Sequence, residues 1–124
     1  MALLTRTLVL ILFFMFTIQF AFGGVPIEKF KVKGNCETCE KSIEEAALKV
    51  DGVANANWNK KTKTIVVSFD TSKTDVQKIS KAIAKAGYDT EMHKASDEAY
   101  NSLPGCCRYE RNDSSYGKVE NHQH

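Results

Sequence analysis

The sequence predicts an α+β fold in which two helices cover one face of a four-stranded antiparallel sheet. Two stretches carry apolar residues at helical spacing and each is closed by a glycine, while four runs alternate or cluster in the manner of strands. Along residues 27–93 these elements follow the order strand, helix, strand, strand, helix, strand. That order is the βαββαβ arrangement of a ferredoxin-like sandwich.

The chain opens on a segment that does not belong to this fold. Residues 8–22 read LVLILFFMFTIQFAF behind a single cation, Arg6, and run into the small residues Ala21, Gly23 and Gly24. A cation, an apolar stretch and a small-residue boundary make a secretory signal peptide, which assigns residues 1–23 to the leader and the mature start to Gly24. An uncleaved membrane anchor is the alternative, because the stretch approaches the ~20 apolar residues that span a bilayer. Both readings place the remainder outside the cytoplasm, periplasmic or secreted, where unliganded thiols drift towards disulfides.

Residues 27–32 alternate Lys29 and Lys31 with Phe30 and Val32, the period of a half-buried strand. Lys33-Gly34-Asn35 breaks the alternation as a loop. From Cys39 onward Ile43, Ala46, Ala47 and Val50 recur at helical spacing until Asp51-Gly52, where glycine accepts the left-handed conformation that ends a helix. Residues 53–58 and 64–69 are strand-like, with Ile65, Val67 and Phe69 on one face, and the polar residues 59–63 join them as a hairpin. Residues 70–74 lead into the second helix, whose stripe is Val76, Ile79, Ala82, Ile83 and Ala86, closed by Gly87. Residues 88–93 complete the set as a short final strand. From Ala95 the text is polar and aperiodic, so residues 94–124 are expected to form an arm that carries a cysteine pair, ending in a disordered tail over residues 112–124.

The formal charge is +2, and removing a leader whose only charged residue is Arg6 leaves +1. No strong field is available to attract nucleic acid. There is also no Ser/His/Asp set, no pair of carboxylates in a predicted pocket and no phosphate-binding glycine loop, so no enzyme is expected.

The chemistry gathers at Cys36-Glu37-Thr38-Cys39, where the first loop meets the first helix. Two thiols at this spacing converge on one ion, and the backbone N–H groups and dipole of a helix N-terminus favour thiolate, the ligating form. Two sulfurs without histidine or carboxylate suit a soft, low-coordinate ion such as Cu(I), or alternatively Hg(II), whereas structural zinc takes four ligands. Both cysteines are placed on an exposed loop outside the core. The rival readings are a thiol–disulfide oxidoreductase and a structural disulfide; Glu37-Thr38 lacks the proline common in the redox motif, and the element order is not that of a thioredoxin.

With the βαββαβ order, the strings Gly34-Asn35-Cys36-Glu37-Thr38-Cys39, Ile43-Glu44, Gly52-Val53 and Ala86-Gly87-Tyr88 make residues 27–93 resemble the heavy-metal-associated family of metallochaperones and transport-ATPase metal domains. Thr74-Asp75-Val76-Gln77-Lys78 together with Ala86-Gly87-Tyr88 is also similar to the periplasmic mercuric-ion-binding branch. The resemblance implies that Cys36 and Cys39 carry the metal and that Tyr88 shields it. The chain departs from the family at Gly34-Asn35-Cys36, where the methionine that packs under the metal loop is absent and the spacing is one residue shorter.

Beyond the resemblance, Pro104-Gly105 delivers the adjacent thiols Cys106 and Cys107 at the end of a turn. They are candidate metal ligands beside Cys36 and Cys39, as added soft ligands or as a separate entry site; disulfides to the first loop or to another chain are the alternative. His93, His122 and His124 offer imidazole but read more readily as polar residues. Trp58, Tyr100 and Tyr109 read as packing residues. The function expected is an exported soft-metal carrier that surrenders its ion to a membrane metal transporter or a cuproprotein acceptor. A monomer is expected, with a metal-bridged dimer as the alternative.

Overall fold

The computed structural model describes residues 2–16 and 25–112. The cleavage point at Gly24, residues 113–124 of the expected tail, and His122 and His124 lie outside the described residues. Ala2–Phe16 forms a helix, α1. Among the described residues no helix is long and apolar enough to cross a membrane.

The elements that follow are β1 (Ile27–Lys31), α2 (Glu37–Leu48), β2 (Val53–Asn59), β3 (Thr64–Phe69), α3 (Val76–Lys85) and a short α4 (Asp97–Asn101). The strands make one antiparallel sheet in the order β1-β3-β2. Its register sets Ile65 opposite Phe30 on one side and opposite Trp58 on the other. All three are buried, so this row crosses the core face of the sheet. Ile65, Val67 and Phe69 point inward as the alternation requires.

The expected fourth strand is corrected to a single bridge, between Val32 and Thr90. Lys33 N–H donates to the Asp89 carbonyl at 2.9 Å and Glu91 N–H to the Lys31 carbonyl at 3.0 Å, so the segment does lie beside β1. Pairing stops there because the chain coils: Thr90 N–H donates to the His93 carbonyl at 2.7 Å. Thr90 Oγ1 meanwhile accepts from the N–H of His93 at 2.8 Å. A threonine hydroxyl bonded to the backbone two or three residues on competes directly with the ladder. The sheet therefore has three strands among the described residues.

The helices start and stop where local chemistry dictates. Asp75 caps α3 by accepting from Lys78 N–H at 2.8 Å. After α2, Gly52 takes a φ of +100°. Cys39, Ile43 and Ala47 are the buried residues of α2, one stripe at four-residue spacing. On α3 the buried residues are Ile79, Ser80, Ile83 and Ala84. Ala84 thus replaces the expected Ala86, which is exposed. The stripe is turned because residues 90–95 fold against the Ser80 side, where Ser80 Oγ and His93 Nδ1 are 2.6 Å apart.

The arm is folded rather than aperiodic in structure. Ser96 caps α4, Leu103 is buried, and Gly105–Cys107 forms a 3-10 turn. Tyr109 is buried, accepts from Asp89 N–H at 2.8 Å and donates to the Gly87 carbonyl at 2.8 Å. Arg111 grips both carboxylate oxygens of Asp89 at 3.0 and 3.1 Å and reaches Asp97 at 2.8 Å. The Tyr100 and Tyr109 rings meet edge to face with centroids 5.0 Å apart. The arm lies directly on Gly87, whose φ is +108° and where an added Cβ would stand 2.8 Å from the Ala99 carbonyl oxygen and 2.9 Å from Leu103.

Gly87→Ala imposes both a left-handed alanine and a clash with the arm. It is expected to lower the unfolding free energy by more than about 1 kcal/mol. Urea unfolding followed by circular dichroism measures this; an unchanged midpoint would show that the backbone relaxes at this point without cost.

Candidate metal centre

The site is assembled from the loop between β1 and α2. Val32 is fully buried, and its carbonyl accepts the indole N–H of Trp58 at 3.0 Å. Lys33 is tied to Asp89 through the backbone. Gly34 passes so close to Trp58 that a Cβ would be 3.0 Å from the indole ring and 3.1 Å from Ile43 Cδ1. The Lys63 ammonium donates to the Gly34 carbonyl at 2.5 Å and stands 5.4 Å from the Trp58 ring centroid. The indole thus fills the space beneath a loop that has no methionine.

Cys36 is the N-cap residue of α2, with extended backbone, and its sulfur faces the other thiols. Cys39 follows within the first turn, and the two Sγ atoms are 3.2 Å apart. The expectation that both lie on an exposed loop is corrected for Cys39, which is completely buried. Its position four residues before Ile43 puts it on the core stripe of α2, so the helix period buries it. Cys36 is half-buried.

The arm brings the other two thiols to the same place. Cys36 Sγ is 3.4 Å from Cys106 Sγ and 3.7 Å from Cys107 Sγ, and the adjacent pair is separated by 3.9 Å. The ligating atoms of Cys36, Cys106 and Cys107 all lie within 4.8 Å of one another. Cys107 is fully buried and Cys106 is exposed; all four cysteines are free thiols. The Tyr88 phenol is buried beside them, within reach of Ser42 and Cys107. His93 is not part of the cluster and is held at Ser80.

The four sulfurs do not share one electrostatic character. Hydrogen bonds from the Cys39 side chain and backbone N–H lower the Cys36 pKa to about 6, with smaller help from Cys106 and Cys107. Burial pushes the Cys107 thiol well above the ordinary range. Cys106 is raised chiefly by its contact with Cys36. Burial also raises Tyr88 and lowers His93, so the phenol stays protonated and the imidazole stays neutral near pH 7. The cluster therefore offers one ready thiolate at Cys36, beside the protonated thiols of Cys106 and Cys107. Such a centre has the donor set for a thiophilic ion.

The sequence pattern of the heavy-metal-associated domain matches residues 29–89. A mercuric transport protein periplasmic component from Serratia marcescens is 41% identical over 59 residues, 48% of this chain and 65% of that protein. The chain thus spans less than two thirds of this curated relative. Oxidized MerP from Ralstonia metallidurans CH34 is 37% identical, with a TM-score of 0.51 over 54% of this chain and 94% of that structure. The N-terminal domain of a potential copper-translocating P-type ATPase from Bacillus subtilis, in its Cu(I)-loaded state, is 29% identical with a TM-score of 0.51, over 54% of this chain and 85% of that one. The chain belongs to the heavy-metal-associated domain family, whose members among these relatives include both mercuric and copper proteins.

Sequence reasoning missed Lys63, Asp89 and Arg111. Nothing in the spacing of a hairpin lysine or of an Asp and an Arg far apart in the chain signals that they fix the thiol loop and the arm.

The low Cys36 pKa has a measurable consequence. In the reduced, metal-free protein, alkylation of Cys36 by iodoacetamide should stay fast down to about pH 6 and fall below it, because the thiolate is the reacting form. Cys39→Ala removes the main cause and should move the midpoint upward, towards the ordinary 9.0. Peptide mass mapping of the alkylated cysteines across pH reads both; an ordinary thiol profile at Cys36 in the unmodified protein would contradict the assignment.

Proposed function

We propose that this chain is an exported carrier that holds a soft metal ion between Cys36 and Cys39 and passes it on by ligand exchange. The observation that carries this is the 3.2 Å approach of the two sulfurs at the N-terminus of α2. Cys36, half-buried and poised as thiolate, is the point of entry; Cys39 is the inner ligand, held by the core stripe. An incoming thiolate from the acceptor binds the metal to give a three-coordinate intermediate, and a carrier thiolate then leaves. No substrate bond is made or broken and the metal keeps its oxidation state, so the activity is binding and transfer rather than catalysis.

The names of the curated relatives, periplasmic mercuric transport components, support export and Hg(II) as the cargo. A second reading, Cu(I), is supported by the likeness to the Cu(I)-loaded ATPase domain. Paired thiolates suit both ions. The acceptor in either case is a membrane metal transporter or, for copper, a cuproprotein. Residues 27–93 form the metal domain in this reading, after a leader over residues 1–23 and before the arm.

Native mass spectrometry of the reduced protein should show tight retention of Hg(II) or Cu(I), lost when Cys36 and Cys39 are both replaced by Ala. Undiminished retention in that variant would sink the assignment. Insulin-reduction turnover by the unmodified chain would instead support the oxidoreductase reading. The mature protein recovered from outside the cytoplasm should begin near Gly24, as N-terminal sequencing would establish; an intact leader in the membrane fraction would establish the anchored form.

A further inference from the structure

We infer that Cys106 and Cys107 bind the same ion, so that the arm converts the two-sulfur site into a centre of three or more sulfurs. This rests on the reading of Cys36 and Cys39 as the metal-carrying pair. It concerns residues beyond the stretch 29–89 that matches the family.

The spacing of the sulfurs carries the inference. An ion with metal–sulfur bonds of ~2.3 Å needs its sulfurs roughly 3.8–4.0 Å apart in tetrahedral or trigonal geometry. The triangle of Cys36, Cys106 and Cys107 has edges of 3.4, 3.7 and 3.9 Å, so shifts of a few tenths of an ångström admit an ion. Cys39, buried and 3.2 Å from Cys36, lies outside that triangle and reaches it through Cys36.

The arm's course is set by contacts that do not involve sulfur. Tyr109 bonded to Gly87 and Asp89, Arg111 on Asp89, and Leu103 against Gly87 hold it in place. The ordering cost of bringing Cys106 and Cys107 to the first loop is therefore met by folding, and little remains to be met at binding. Each new metal–sulfur bond replaces an S–H bond, whose proton passes to solvent, and no electrons move. A disulfide between the neighbours Cys106 and Cys107 would require a strained ring.

The consequence is retention. A partner thiolate that displaces a ligand from a two-sulfur site faces two bonds; here it must also displace the arm. The ligand class is correspondingly wider, because three or four thiolates also suit Cd(II) or Zn(II).

The test uses the reduced full chain with one equivalent of Hg(II), and separately of Cu(I). X-ray absorption should count three or more sulfur neighbours in the unmodified protein and two in Cys106→Ser/Cys107→Ser. Release to glutathione should accelerate in that variant by more than the roughly 10- to 100-fold that loss of an outer-shell partner costs in affinity. Because Cys107 is buried, Cys106→Ser serves as the second variant: Cys106 is exposed, so the fold is kept while release still accelerates. A count of two in the unmodified chain, with release unchanged in both variants, overturns the inference. If the Cys36/Cys39 replacement then still abolishes binding, the carrier reading stands without the arm; if the unmodified reduced chain binds neither ion, both fall.

Discussion

The buried carboxylate of Asp89 is the point on which three separate segments meet. Its backbone carbonyl receives the N–H of Lys33 at the base of the thiol loop, and its backbone N–H is held by the Tyr109 hydroxyl. Its side chain accepts from Ala95 N–H at 2.7 Å and from Arg111 at 3.0 and 3.1 Å. Only 2% of Asp89 is exposed, so its charge is satisfied almost wholly from within the protein. A buried ion pair adds little net stability over an apolar pair, yet removing either partner strands a charge in a poor dielectric. The interaction thus specifies an arrangement more than it stabilises one.

What it specifies is the position of two thiol-bearing elements relative to each other. The loop ahead of Cys36 is fixed from below by Trp58 and Lys63 and from the side by Asp89. The arm ahead of Arg111 is fixed by the same Asp89 and by the Tyr109 bond to Gly87. Cys36 and Cys106 are separated by 70 positions in the chain and by 3.4 Å in space. Both routes between them pass through residues 87–89. The coiling of residues 90–93, which cuts the fourth strand to one bridge, is what lets the chain turn back at Ala95 and send the arm over this face.

The site divides into inner and outer sulfurs for reasons of secondary structure. Cys39 is buried because it shares a helical stripe with Ile43 and Ala47, and Cys107 because the 3-10 turn presses it against the core. Cys36 and Cys106 sit at the mouth. Desolvation keeps the inner Cys107 protonated, while donors around Cys36 favour its thiolate.

Much of the fold was legible in the sequence, because periodicity and end signals are local. The stripes of α2 and α3, the hairpin over residues 53–69 and the stops at Gly52 and Gly87 follow from residues near each other in the chain. The CxxC pair was legible for the same reason. The failure of the fourth strand depended on a threonine side chain competing for the backbone, which alternation does not reveal. The burial of Cys39 was implicit in its spacing from Ile43 but was hidden by the loop-like text before it. The course of the arm was not legible at all, since residues 94–101 carry no period and their docking partners lie in another part of the chain. By itself the sequence determined the order of the first five elements of the domain, from β1 to α3, and the chemical identity of the thiols. Only the tertiary structure decided that Cys106 and Cys107 reach Cys36, because that convergence is set by a long-range pairing of Asp89 with Tyr109 and Arg111, and no spacing along a chain records which buried carboxylate an arginine will find.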